Sequence, residues 1–233
     1  MQLRKFSNIG TNSAGQVSIR AADTESDQNS GRKYMIIGSD DLPEDFRECV
    51  RFHGHICPGL AIGYAAVKVG SKLLGLSAAE DEEIVAFVEN DSCAVDAVQV
   101  LLRCTFGKGN LIFRDWGKQV FTFLDRNSGE AVRLSFKQMP RNEERHALKR
   151  RIVSGEANNA ERELWEKLRE QGIIELISSN LDRYFEIRKV HMEMPPHAQI
   201  VATRDCDSCG EATVVSRLIK REGRLICRDC ERR

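Results

Sequence analysis

The sequence lacks the features that would place it in a membrane, in a secretory pathway or on a nucleic acid. Its 233 residues are 41% hydrophobic, yet no apolar run approaches the roughly 20 residues of a membrane-spanning helix. The N-terminal segment has no apolar stretch typical of a secretory signal. The 35 basic and 35 acidic side chains leave no formal net charge, which argues against a nucleic-acid binder. We therefore expect a cytoplasmic protein whose partners include neither a membrane nor a nucleic acid.

Cysteine, in contrast, is abundant, with eight residues in two groups. In a reducing compartment, clustered cysteines indicate metal ligands or reactive thiols before disulfides. Four lie in two CxxC pairs at the C-terminus, and the others are Cys49, Cys57, Cys93 and Cys104. We expect Cys49 in the core, because a free cysteine behaves as a small hydrophobic residue. Cys104 follows Cys93 by about three helical turns, or roughly 16 Å, too far to share its site.

The composition divides the chain into three segments. Residues 1–34 show little apolar periodicity and predict a flexible leader. Residues 35–198 mix helical and strand patterns, and QVFTFLD and AVRLSF predict a β-hairpin. This arrangement predicts an α+β core with a mixed or antiparallel sheet and packed helices, rather than a doubly wound parallel sheet. Pro195 and Pro196 mark a linker to a small four-cysteine zinc ribbon over residues 199–233.

Helical patterns surround the first cysteine group. Pro58 can open a helix over LAIGYAAVKVGSKLLGL, whose small residues allow close packing. Asp91 or Ser92 can cap the helix that begins CAVDAVQ. Residues 141–179 predict further helix. The core positions expected in that segment are Leu148, Ile152, Leu164, Trp165 and Leu168.

The C-terminal segment CDSCGEATVVSRLIKREGRLICRDC has the spacing of a zinc ribbon. Four thiolates arranged in a tetrahedron suit Zn²⁺, and Gly210 permits the tight turn after the first pair. The expected zinc ligands are Cys206, Cys209, Cys227 and Cys230. The alternatives, four unliganded cysteines or two disulfides, fit the spacing and the compartment less well. Zinc would supply most of the folding free energy of so short a segment.

A second cluster lies in FHGHICPG, where His53, His55 and Cys57 occupy alternate positions. Imidazole and thiolate are ligands that suit zinc, nickel, copper or iron. In an extended segment the three side chains would point to the same side. If Pro58 opens a helix, Cys57 lies at its N-terminus, where the helix dipole favours a thiolate. The alternative is a pair of loop histidines beside a buried cysteine.

Cys93 begins another predicted helix, and we hypothesise that it faces the same cavity. Asp91 and Asp96 flank it, and either carboxylate could orient an imidazole. The cavity would hold a second transition metal, with zinc and nickel as candidates. The expected core ligands are His53, His55, Cys57 and Cys93.

Four stretches together resemble the E-subunit family of formylmethanofuran dehydrogenase, over residues 40–230. They are FHGHICPGLAIGYAA, NDSCAVDAVQVLLRCTFGKGNL, DWGKQVFTF and the CxxC…CxxC ribbon. The resemblance implies an α+β core with a Cys- and His-lined cavity, a homodimer and a C-terminal zinc domain. In methanogens the name refers to a molybdenum or tungsten enzyme whose pterin and iron–sulfur machinery is in other subunits. This chain has no ferredoxin-type cysteine run, so the name does not make it a dehydrogenase.

Three functions follow from these patterns. The first is a metal-binding protein accessory to a molybdenum or tungsten enzyme or to metal handling, with a ribbon that is structural or contacts a protein partner. The alternative is a stand-alone zinc- or cysteine-dependent enzyme acting on a small molecule, with Cys57 or Cys93 as nucleophile or zinc as Lewis acid. A DNA-binding role for the ribbon leaves the core unexplained and lacks a surplus of basic residues.

Overall fold

In a computed structural model of the chain, residues 42–137, 143–178 and 180–232 are described; the predicted leader, residues 1–34, lies outside them. The helices within these ranges are α1 (Glu44–His53), α2 (Pro58–Leu74), α3 (Ala94–Leu102), α4 (Glu143–Val153), α5 (Asn159–Ile177) and α6 (Arg228–Arg232). The strands are β1 (Ile84–Val88), β2 (Leu111–Phe113), β3 (Val120–Asp125), β4 (Ala131–Phe136), β5 (Phe185–Val190), β6 (Thr203–Asp205), β7 (Ala212–Val214), β8 (Ile219–Arg221) and β9 (Arg224–Ile226). Among the described helices, none has the length and apolar character needed to cross a bilayer.

The first five strands form one mixed sheet in the order β2-β1-β3-β4-β5. Strand β1 pairs with β2 in parallel and with β3 in antiparallel orientation. Strands β3 and β4 form the predicted hairpin, and β5 adds to β4 in antiparallel orientation. All five residues of β1 are buried, as expected for a central strand covered on both faces. The prediction of an α+β core with a mixed sheet is therefore confirmed.

Helix α2 is central to the layer of helices and contacts α1, α3, α5 and strand β4. It begins at Pro58, as predicted, and ends at Gly75 in the left-handed conformation. Because it is enclosed on several sides, it is apolar around most of its circumference. The largest fully buried side chains of the main hydrophobic core include Phe46, Leu60, Leu102, Phe121, Phe123 and Leu134.

The contact between α2 and α3 depends on a glycine. A Cβ atom added at Gly63 would lie 2.0 Å from the carbonyl oxygen of Ala94, far inside any real contact distance. One turn earlier, a Cβ atom at Gly59 would lie 3.0 Å from the Cβ of Cys93. The start of α3 therefore lies directly on the backbone of α2, with no side chain between them.

The opposite face of the sheet is covered in part by the segment that leads to the ribbon. Met192 packs against a buried cluster on this face. The guanidinium of Arg126 donates to the carbonyl oxygen of Pro195 at 2.6 Å, and the buried carboxylate of Glu82 accepts from the backbone N–H of Ala198 at 3.0 Å. The predicted linker is thus hydrogen-bonded to the core rather than freely solvated.

The helical segment after the hairpin differs in part from the prediction. It divides into α4 and α5 around Ser154 and Gly155, and Leu148 is buried as predicted. Leu164, predicted to lie in the core, is 50% exposed, whereas Ile173 is buried. Nine residues are two and a half helical turns, so these two side chains face opposite sides of α5. The prediction for Leu164 was wrong because the face that packs on α2 is selected by tertiary contacts.

We expect the substitution Gly63→Ala to lower the free energy of unfolding by about 3 kcal/mol, because the added methyl group forces α2 and α3 apart. Denaturant unfolding checks this. Gly107→Ala is the matched control: Gly107 is exposed and an added Cβ meets nothing within 4 Å, so its effect should stay within about 0.5 kcal/mol. Equal stability of the two variants would contradict this account of the α2–α3 contact.

Candidate metal centres

The four C-terminal cysteines form a compact sulfur cluster. Their Sγ atoms all lie within 4.8 Å of one another, and those of Cys209 and Cys227 are 3.9 Å apart. Tetrahedral zinc with Zn–S bonds of about 2.3 Å places its sulfur ligands about 3.8 Å apart. Gly210 has a φ of 74°, in the left-handed region, as the tight turn requires. The cluster has the donor set and spacing of a zinc ribbon.

Backbone N–H groups point at the ribbon sulfurs. The N–H of Cys227 donates to Sγ of Cys206 at 3.2 Å, and the N–H of Ser208 donates to the same sulfur at 3.5 Å. The N–H groups of Cys209 and Cys227 lower the pKa of the Cys206 thiol to about 6. Such hydrogen bonds stabilise a thiolate, which is the form that binds a metal.

The HGHIC segment brings its three donors together in a different way from the extended arrangement considered above. His53 is the last residue of α1, and Gly54 follows with a φ of 91° and turns the chain. Cys57 is the N-cap of α2, and its Sγ accepts from the N–H of Leu60 at 3.3 Å. The second alternative, with Cys57 at the helix start, is therefore confirmed. A helix–turn–helix corner, rather than a strand, makes the donors converge.

The donor distances in this corner match those of a metal site. Ligand atoms of His53, His55 and Cys57 lie within 4.8 Å of one another. Sγ of Cys57 is 3.6 Å from Nε2 of His53. A tetrahedral zinc with bonds of about 2.3 Å to sulfur and about 2.05 Å to nitrogen places these two ligands about 3.6 Å apart. The residues present therefore fit a transition metal in both chemistry and spacing.

The fourth predicted ligand, Cys93, lies beside this group without being part of it. Its sulfur adjoins that of Cys57, whereas the set within 4.8 Å contains only His53, His55 and Cys57. Burial raises the pKa of the Cys57 thiol, and the adjacent Cys93 sulfur raises it further. The structure thus brings three of the four predicted residues into one cluster and places the fourth at its edge.

A polar network, which the sequence analysis did not identify, shapes the loop before Cys93. The buried amide of Asn90 donates to the carbonyl oxygen of Lys118 at 2.9 Å and accepts from the Ser92 hydroxyl at 2.7 Å. Gln119 donates to that hydroxyl at 3.1 Å. These bonds tie the start of α3 to the strand-β3 side of the sheet and so fix the place of Cys93. Only an NxS turn signal before the helix could have indicated this network.

The two acidic residues near Cys93 have different roles. Oδ2 of Asp96 lies 2.6 Å from Nδ1 of His53, as one of the two predicted alternatives required. Asp91 is exposed. Oδ1 of Asp96 accepts from the amide of Gln99 at 3.1 Å. A carboxylate, an imidazole and a thiol therefore form a continuous chain from Asp96 through His53 to Cys57.

The remaining two cysteines lie in the core and not in the cluster. Cys49 and Cys104 are both fully buried, and burial raises the pKa of each thiol to about 12. Sγ of Cys104 donates to the carbonyl oxygen of Ile84 at 3.5 Å. The prediction that Cys49 belongs to the core is confirmed, and Cys104 has the same structural role.

Comparisons with known proteins agree on one family. The profile of the family described as FmdE, molybdenum formylmethanofuran dehydrogenase operon, matches residues 52–186. A curated Archaeoglobus fulgidus protein, named probable S-adenosyl-L-methionine-binding protein, is 29% identical over 180 residues, which covers 72% of this chain and 48% of the relative. The chain thus spans about half the length of that relative.

A solved structure supports the same assignment. The crystal structure of an FmdE-like protein of the tungsten formylmethanofuran dehydrogenase type from Syntrophus aciditrophicus is 25% identical, with a TM-score of 0.54. The match covers 81% of this chain and 90% of the other. Because the profile matches more than half of the chain and spans the helix starts that carry Cys57 and Cys93, the chain belongs to the FmdE family.

Proposed function

We propose that this FmdE-family chain binds two metal ions, a structural zinc in the ribbon and a transition metal at the helix corner. His53, His55 and Cys57 would hold the second ion, with Cys93 as the fourth ligand. The observation that carries the proposal is the 3.6 Å separation between Sγ of Cys57 and Nε2 of His53, which suits two ligands of one tetrahedral ion. Zinc and nickel are the candidates, since both accept imidazole and thiolate.

We further propose that the chain acts as an accessory to a molybdenum or tungsten enzyme or in metal handling. The family description and the name of the Syntrophus aciditrophicus protein both refer to formylmethanofuran dehydrogenase. The eight cysteines are divided between the ribbon, the corner site and the core, and none forms a ferredoxin-type run. Such a chain fits a supporting role better than that of an electron-transferring subunit. The predicted homodimer and ribbon partner stay predictions.

The name of the Archaeoglobus fulgidus relative does not extend to this proposal. This chain covers 48% of that protein, and the name belongs to the whole of it. The corner site offers two imidazoles and a thiol, which suit a metal ion rather than a nucleoside. We therefore base the proposed function on the donor set.

A second candidate function rests on the chain of contacts from Asp96 through His53 to Cys57. A thiol beside an imidazole that a carboxylate orients is the arrangement of a cysteine nucleophile. In that case the protein would be a stand-alone enzyme acting on a small molecule. If a zinc ion is bound instead, it can polarise a substrate at an open coordination position.

The metal stoichiometry tests the first proposal. We expect two metal ions per chain in protein purified from cells without added metal, measured by elemental analysis. The double variant Cys57→Ala/Cys93→Ala should retain one, because it loses two corner sulfurs and keeps the ribbon. The variant Cys206→Ala/Cys209→Ala, which loses half of the ribbon ligands, should also retain one. A single ion in both the wild type and the Cys57→Ala/Cys93→Ala variant would overturn the proposal.

Metal removal should affect the two parts of the chain differently. The ribbon has a buried cluster of only Cys206, Ile226 and Cys227, so we expect it to unfold in a strong chelator while the core stays folded. Limited trypsin digestion should then cut at ribbon sites such as Arg217 and Arg221 and leave a stable core fragment. A ribbon that resists trypsin after complete metal removal would show that metal does not stabilise it.

Alkylation distinguishes the two candidate functions. If Cys57 is a ligand, iodoacetamide should modify it much more slowly in metal-loaded protein than in metal-free protein, because the metal occupies the sulfur. If Cys57 is a nucleophile, its rapid modification should persist in loaded protein. Peptide mass spectrometry measures the rates. Cys49 and Cys104, both fully buried, are internal controls that should stay unmodified in either case.

A further inference from the structure

We propose that Asp96 is a positioning residue for the corner metal site, with Gln99 as its support. Through its hydrogen bond to Nδ1, Asp96 would hold the imidazole of His53 in the tautomer and orientation that present Nε2 to the metal. This inference rests on the proposed function, because it requires a metal ion bound at the corner.

The imidazole of His53 is held from both sides. Nδ1 lies 2.6 Å from Oδ2 of Asp96, and Nε2 lies 3.6 Å from Sγ of Cys57. A neutral imidazole has one N–H group and one lone pair, and a carboxylate can only accept. The proton therefore lies on Nδ1, which leaves the lone pair of Nε2 directed toward the sulfur. Ligating histidines commonly donate their other N–H to a carboxylate in this way.

The carboxylate is itself fixed. The amide of Gln99, one turn further along α3, donates to Oδ1 of Asp96 at 3.1 Å. Asp96 lies in the first turn of α3, where the helix dipole favours a negative charge. Each oxygen thus has one partner, and the carboxylate is aimed at His53. Helix α3 then supplies both Cys93, at its start, and the group that orients His53.

A purely structural role is the competing explanation, in which the Asp96–His53 contact ties α1 to α3. The packing in the core argues that the tie is not required for that purpose. Helices α1 and α3 already contact each other, and Phe46, Ala97 and Val98 of the two helices are fully buried. The side chain of His53 is 10% exposed and that of Asp96 is 31% exposed, so the pair faces the site at the edge of this core.

The test compares Asp96→Asn with Asp91→Asn, which removes an equivalent charge from an exposed position in the same loop. An asparagine amide can donate to Nδ1 and so favour the wrong tautomer. Full-length chains are titrated with Co²⁺ in competition with a chelator, and the thiolate-to-cobalt absorption reports the bonds to sulfur. We expect Asp96→Asn to weaken the corner site about 10- to 100-fold, with the ribbon unchanged as an internal control. Gln99→Ala should weaken it less, and Asp91→Asn should match the wild type.

The outcomes separate this inference from the proposed function. If the wild type binds two ions and Asp96→Asn binds both as tightly, the positioning role is overturned and the metal site stands. A lower melting temperature of metal-free Asp96→Asn with unchanged metal affinity would likewise show a structural tie and overturn the inference. If the wild type binds only the ribbon ion, the proposed function fails and this inference fails with it.

Discussion

The close contact between the backbones of α2 and α3 is the constraint on which the corner site depends. Gly63 lies beneath the carbonyl oxygen of Ala94, where any side chain would force the helices apart. One turn earlier, Gly59 lies against Cys93 and lets its sulfur adjoin that of Cys57. Core packing in a folded protein is dense enough that a single methyl group at such a contact is felt. Two glycines on one face of α2 thus bring together donors from distant parts of the sequence.

The two candidate metal centres depend on the rest of the protein to different degrees. The ribbon ligands lie close together in sequence on short strands with little apolar burial, so metal binding and folding are coupled there. The corner site lies where α1, α2 and α3 meet, beside a large hydrophobic core. Its donors are held near their ligand positions by packing that owes nothing to a metal. One chain therefore combines a segment that metal folds with a site that folding organises.

Polar partners set the orientations that packing leaves open. Apolar packing places α3 but does not decide how the imidazole of His53 is rotated, and a rotamer change would move its lone pair away from Cys57. Asp96 restricts that rotation, and the bonds among Asn90, Ser92 and Gln119 restrict the loop that carries Cys93. Because each of these polar groups has a partner, the network specifies one arrangement. The same arrangement would orient a ligand or activate a nucleophile, which is why the two candidate functions share these residues.

The sequence by itself determined what depends on neighbouring residues: the CxxC spacing of the ribbon, the helix start at Pro58, the hairpin of β3 and β4 and the mixed class of the sheet. These follow from backbone geometry and hydrogen bonding over a few positions, and the family motifs lie in the same segments. Only the tertiary structure decided that His53 ends a helix rather than occupying a strand, that Asp96 and not Asp91 meets its imidazole, and that Leu164 faces outward. Which side of a helix is buried depends on the element packed against it, and that element is far away in the chain.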